Sequence, residues 1–212
     1  MKKLAVLSVC ALSVGILAGC GNSFDASAYT KAVLDNSYKN DSTGFVELKV
    51  GTAEESAEIY QNGLDEMVDS FLFGLDVTEE QEAGFEEAIA NILASAKYTV
   101  GEAEKQDDGS YVVNVTYEKM DVFVEAIELY KADITEMMEN MTEIPSDEEL
   151  EEALVNSLKD CLLEATETAT YEEAATTTIT IEIEDNLYTP NEDDLIRLSE
   201  SLFDYEAVNN LN

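Results

Sequence analysis

The chain has 212 residues, with 47 Asp and Glu against 11 Lys and Arg, no histidine and no tryptophan, for a net charge of −36 at pH 7. That balance excludes DNA and RNA, whose phosphates demand a patch of Lys and Arg, and it excludes electrostatic adhesion to anionic lipid. The missing histidine removes imidazole metal ligands and imidazole general bases together.

Met1-Lys2-Lys3 is a short positive segment, and Leu4 to Leu17 is an apolar run interrupted only by Ser8, Ser13 and Gly15. This is the layout of a secretory signal, and it falls short of the roughly 20 apolar residues that a membrane-crossing helix requires. Leu17-Ala18-Gly19-Cys20 follows directly and resembles the lipobox of bacterial lipoproteins. The resemblance implies that residues 1–19 are a signal peptide and that Cys20 becomes the first residue and carries diacylglycerol. It further implies a chain tethered to the outer, extracytoplasmic face of the cell membrane. Two acyl chains anchor stably where one binds reversibly. Cys10 would leave with the signal, so Cys161 alone would remain and no intramolecular disulfide could form. Cleavage takes Lys and Arg from 11 to 9 against 47 acids, a charge of −38 on 193 residues.

Residues 20–24 are the lipidated cysteine and a tether that spans at most roughly 14 Å when extended, and 25–212 read as a single domain. Asp25 is placed as an N-cap, with Phe24 and Tyr29 as a hydrophobic staple and a helix to about Tyr38. Asn40 to Gly51 reads as a short strand or an apolar connector. Thr52-Ala53-Glu54-Glu55 is a capping box. It leads into an apolar stripe of Ile59, Tyr60, Leu64, Met67, Val68, Phe71, Leu72 and Leu75. Thr78-Glu79-Glu80-Gln81 opens a second such helix, with Phe85, Ile89, Ile92, Leu93 and Ala96 inward.

The period then changes to two. Lys97–Glu104 and Tyr111–Glu118 read as a β-hairpin around Asp107-Asp108-Gly109-Ser110, with Tyr111, Val113, Val115 and Tyr117 on one face. Helical spacing resumes from Asp121 through Phe123, Ile127, Tyr130, Ile134, Met137, Met138 and Met141, and Pro145 ends it. A third capping box, Ser146-Asp147-Glu148-Glu149, precedes Leu150, Leu154, Leu158, Cys161, Leu162 and Ala165. Ala174 to Glu184 alternates as a strand with Ile179, Ile181 and Ile183 buried. Thr189-Pro190-Asn191-Glu192 is read as a cap, Pro at N1 and Glu at N3 of a last helix carrying Leu195, Leu198, Leu202 and Phe203 inward and fraying near Asn209.

The order αααββααβα predicts an α+β fold, a small antiparallel sheet of about three strands covered by helical hairpins. A capped helical pair precedes a β segment twice, at 53–118 and 121–184, which is the pattern of a degenerate internal duplication.

The chemistry is sparse. Acids are so abundant that a paired-carboxylate site cannot be picked from sequence. Cys161 lies on an apolar stripe without an available base and reads as a buried, inert thiol. Tyr98, Tyr111 and Tyr117 fall on packing faces, and Met137-Met138-Met141 reads as the end of a helix filling an irregular core. The alternative for the methionines is an adaptable binding surface or a soft copper site. No calcium loop, phosphate cradle or S-x-x-K motif occurs, so no catalytic residue, metal site or cofactor is expected beyond diffuse attraction of divalent cations.

Phe24-Asp25-Ala26-Ser27-Ala28-Tyr29, Lys97-Tyr98-Thr99-Val100 and Tyr188-Thr189-Pro190 resemble segments of small acidic lipoproteins from clostridial-type Gram-positive gut bacteria. Those families have no assigned function, so the resemblance carries over no catalytic residue. The expectation is a lipid-tethered, non-enzymatic binding or interaction domain of undetermined ligand. The alternative is a carboxylate-dependent hydrolase of cell-wall or dietary polymer.

Overall fold

The computed structural model describes residues 16–17, 24–72, 75, 77–141, 144–184 and 186–205. Cys20, most of residues 1–19, expected to be a signal peptide, and the residues after Tyr205 lie outside them. The elements run β1 (Ile16–Leu17), α1 (Ala26–Lys39), α2 (Thr43–Glu47), α3 (Ala53–Phe71), α4 (Glu79–Ala94), β2 (Lys97–Lys105) and β3 (Tyr111–Glu118). There follow α5 (Val122–Asn140), α6 (Asp147–Thr168), β4 (Ala175–Glu184), β5 (Leu187–Pro190) and α7 (Glu192–Leu202). The fold is α+β, as the patterning predicts.

Local chemistry places the helix starts. The Asp25 carboxylate accepts from the Ala28 amide, and Phe24 packs on Tyr29 with ring centroids 5.4 Å apart. Thr52 with Glu55, Thr78 with Gln81, and Ser146 with Glu149 all form reciprocal capping boxes. The ambiguous 40–51 segment is a single short helix, α2, with Phe45 buried.

The sheet is antiparallel throughout, in the order β1-β5-β4-β3-β2. The hairpin turn is where sequence placed it: Gly109 takes φ +92°, and the Asp108 carboxylate accepts from both the Ser110 amide and hydroxyl. Val113 and Val115 of β3 and Ile179 and Ile181 of β4 are fully buried on one face, where α1 packs on β2 and β3 and α7 on β3 and β4. Asn114, Thr116 and Thr176 lie exposed on the other. An antiparallel sheet with one wet face needs this alternation. Ile183, expected inside, is exposed because it sits at the strand's far end beside the Gly109 turn.

Two strands escape the sequence pattern. β5 pairs with β4 from Glu184↔Leu187 to Ile181↔Pro190. Thr189 and Pro190 therefore finish a strand and do not start a helix; Asn191 is the true N-cap, accepting from the Asp194 amide. Proline is tolerated there because a strand's edge position asks no ladder N–H of it. β1, a two-residue strand within the segment expected to be a signal peptide, pairs Ile16 with Tyr188 and Leu17 with Leu187. The other four strands form a complete sheet without it.

The core joins α1, α3, α4, α7 and the sheet through Tyr29, Leu34, Leu64, Phe85, Ile89, Ile92, Leu198 and Phe203. Each such large side chain contributes about 1.5–3 kcal/mol by burial. Two polar features run through it. Asn36 of α1 donates its amide to the Ser56 carbonyl at 3.2 Å and accepts from the Ser56 hydroxyl. The Thr30 hydroxyl is buried with no partner.

Candidate functional site

The helical hairpin α5–α6 departs from this packing. Its root is firm: Met120 donates its backbone N–H to the Leu202 carbonyl at 2.9 Å. The Asp121 carboxylate, which does not cap α5, accepts from the Thr170 amide and hydroxyl at 2.7 Å each. Phe123, in the first turn of α5, meets Phe71, Phe203 and Tyr205 with centroids 5.1 to 6.2 Å apart. Beyond Ile127 no residue of α5 is buried, and in α6 the buried residues begin at Val155.

The apolar stripes of both helices continue past that root and come out into solvent. Met138 is 67% exposed, Met141 38%, Leu150 36%, and Ile144, in the connection between the helices, 96%. This corrects the core reading of Met138, Met141, Leu150 and Leu75, all exposed, whereas Met137 is half-buried. The physical reason is that adjacent apolar positions such as Met137 and Met138 lie about 100° apart on a helix. One partner helix cannot cover both.

A groove of about 310 Å³ opens along this surface, lined by Leu75, Tyr130, Leu150, Leu154, Val155 and Leu158, with the carboxylates of Asp147 and Glu151 on its α6 side. Such a size lies at the low end for ligand pockets. Its lining is apolar apart from the Tyr130 hydroxyl, pushed above its usual titration range by burial and then by the Cys161 charge, and those two acids. Asp147 and Glu151 are one turn apart on a single helix. Glycosidic chemistry needs two carboxyls facing each other across the scissile bond, and these two share one wall.

Cys161 is buried and reduced, as sequence suggests. Burial raises its thiol pKa; a hydrogen bond with Ser157 lowers it in part, and the charges of Asp133, Glu164 and Asp160 raise it further. The Ser157 hydroxyl donates to the Asp133 carboxylate, so its proton already faces an acceptor. Tyr98 donates its hydroxyl to Asp35 at 2.8 Å, and Tyr111 packs edge-on against Phe24 and Tyr188, which agrees with packing roles. Among the described residues no three His, Cys, Asp or Glu converge on a metal-sized position, and no helix is long and apolar enough to cross a membrane. Cys20, the residue expected to carry lipid, lies outside the described residues. Sequence placed Leu75, Tyr130, Leu150, Leu154 and Leu158 on inward-facing stripes, did not single out Val155, and passed over Asp147 as part of a capping box and Glu151 as part of a solvated helix face. The signal that distinguishes them is a stripe too wide for two helices.

No family model matches the chain, and a search of curated proteins returns no match. Among solved structures, the fold is similar to that of a candidate lipoprotein, ycdA, of Bacillus subtilis, at 13% identity and a TM-score of 0.60 over 84% of this chain. The chain spans 56% of that protein's length, and at this identity the likeness is one of fold.

Proposed function

We propose that this protein is a lipid-anchored, extracytoplasmic binding domain, tethered through Cys20, that engages its partner at the α5–α6 groove without doing chemistry. The observation that carries the reading is the groove itself: an apolar surface left open beside the α5–α6 hairpin, holding neither a nucleophile nor an opposed pair of acids. Monomeric proteins seldom leave such surface open without a use for it. The lipobox-like segment at Cys20 supports the anchor, and the fold similarity to a candidate lipoprotein agrees with it.

Metabolic labelling with an alkyne palmitate tests the anchor: label and membrane fractionation should both disappear in Cys20→Ala, and label persisting in that variant would refute it. A substrate screen of peptides, esters and glycans tests the rest. The expected result is no turnover; hydrolysis abolished by Asp147→Asn or Glu151→Gln would establish the hydrolase instead.

A further inference from the structure

We infer that the occupant of the α5–α6 groove is an amphipathic helix of a partner polypeptide, apolar on one face and rich in Lys and Arg on the other. The inference rests on the binding-domain reading and names the partner that reading leaves open.

Shape comes first. The groove is lined by Tyr130 of α5, by Leu150, Leu154, Val155 and Leu158 of α6 and by Leu75, and beyond it the α5 stripe runs on from Tyr130 through Ile134, Met138 and Met141 at spacings of three and four. Ridges at that spacing receive the ridges of a third helix, and apolar anchors at i, i+3, i+4 and i+7 are how a helix reads a groove. From Asp147 to Leu158 the α6 wall is 12 residues long, roughly 18 Å at a helical rise of 1.5 Å. A segment of three to four turns matches it. Outside the lining, the exposed Met138 and Met141 continue the α5 stripe, and unbranched side chains of this kind adapt to different apolar partners.

Charge then selects the partner. Between residues 128 and 158 there are ten acids and a single base, Lys131. Asp147 and Glu151 stand in the groove wall, and Glu148 and Glu152 follow on the exposed side of the same helix. An approaching apolar helix that carried acids would be repelled at this rim, while one flanked by Lys and Arg would be steered in. A second copy of this chain, with its own large excess of acids over bases, is repelled for the same reason. The apolar floor supplies the affinity and the acid rim the choice.

The test uses the full-length lipidated protein in zwitterionic lipid nanodiscs, with empty nanodiscs as the background. The probe is a fluorescent 14-residue helix of Leu and Lys with Leu at i, i+3, i+4 and i+7. Two comparison peptides keep its length: one with every Lys changed to Glu, one with the same composition scrambled so that no apolar face forms. Anisotropy should show saturable one-to-one binding of the first peptide, at least tenfold weaker binding of both others, and affinity that falls with salt but persists at high salt. Leu150→Gln and Met138→Gln alter exposed side chains, so circular dichroism should report an unchanged fold while affinity drops at least fivefold for each.

Equal binding of the scrambled peptide would overturn the inference, reducing it to charge attraction. Equal binding of the Glu peptide would remove the cationic requirement, and self-association blocked by Leu150→Gln would put a second copy in the groove; either overturns it. Absence of binding overturns the helix as partner, whereas the binding-domain reading falls only if turnover appears in the substrate screen.

Discussion

The body and the α5–α6 hairpin are written in the same sequence language and end in opposite physical states. Helix α4 begins with a capping box, continues with apolar residues at helical spacing, and buries Phe85, Ala88, Ile89, Ile92 and Leu93 completely. Helix α6 begins with a capping box and the same spacing, yet Leu150 is exposed and Leu154 and Leu158 are only half-buried. Amphipathicity therefore states that a face has a partner, not where that partner is. For α4 it is α1, α3 and α6; for the outer half of α6, α5 and the start of α4 together leave Leu150 uncovered.

The sharpest way to break the distinction is at the hairpin's root. Phe123→Ala should cost about 3–5 kcal/mol, because it removes a fully buried ring from a four-ring contact, whereas Met138→Ser at the tip should stay within about 0.5 kcal/mol. Chemical denaturation of both variants compares them directly. Similar losses in the two would show the hairpin packed along its length.

The caps offer a finer contrast. Thr78→Ala should cost about 1 kcal/mol of global stability, since Gln81 of that box also donates to Asn156 and joins α4 to α6. Ser146→Ala should leave the global midpoint unchanged and instead speed hydrogen exchange of the amides at 147–150, an end that frays alone. The two boxes also differ in pH response. The Ser146 backbone amide, and then its hydroxyl, hold the Glu149 carboxyl below its usual pKa. A depressed folded pKa gives stability present above the ordinary carboxylate value and lost as pH falls through the folded one. Gln81 has no such proton. Acid should therefore loosen the start of α6 before that of α4, read as exchange at matched intrinsic rates; simultaneous loosening would refute the distinction.

The smallest effect lies deep in the body. Thr30→Val replaces a buried, unpartnered hydroxyl with a methyl group and should raise stability by up to about 1 kcal/mol. A loss above that size would reveal a hydrogen bond the hydroxyl makes in solution.

Much of this architecture was legible in the chain. Three capping boxes, the Asp25 cap with its Phe24–Tyr29 staple, and the Asp108-Gly109 hairpin were local signals with local causes, and each sits where its residues placed it. β5 was not legible, because Thr189-Pro190 fits a helix start as well as a strand end; only pairing with β4, a non-local event, decides. The groove was half legible. Tyr130, Leu150, Leu154 and Leu158 were identified as an apolar stripe, but whether a stripe meets core or solvent depends on how many elements surround it, which no local pattern encodes.

Phe24 stacks flat on Tyr188, with centroids 3.8 Å apart and planes 4° from parallel, and its edge meets Tyr111 at the start of β3. It stands four residues after Cys20. This stack holds the start of the domain against the sheet, at the end of β3 where Tyr111 lies. The hairpin is rooted beyond the opposite end of β3, seven residue steps or about 24 Å along the strand. A tilt of the domain about this stack would therefore displace the root of the α5–α6 hairpin with a lever arm of about 24 Å.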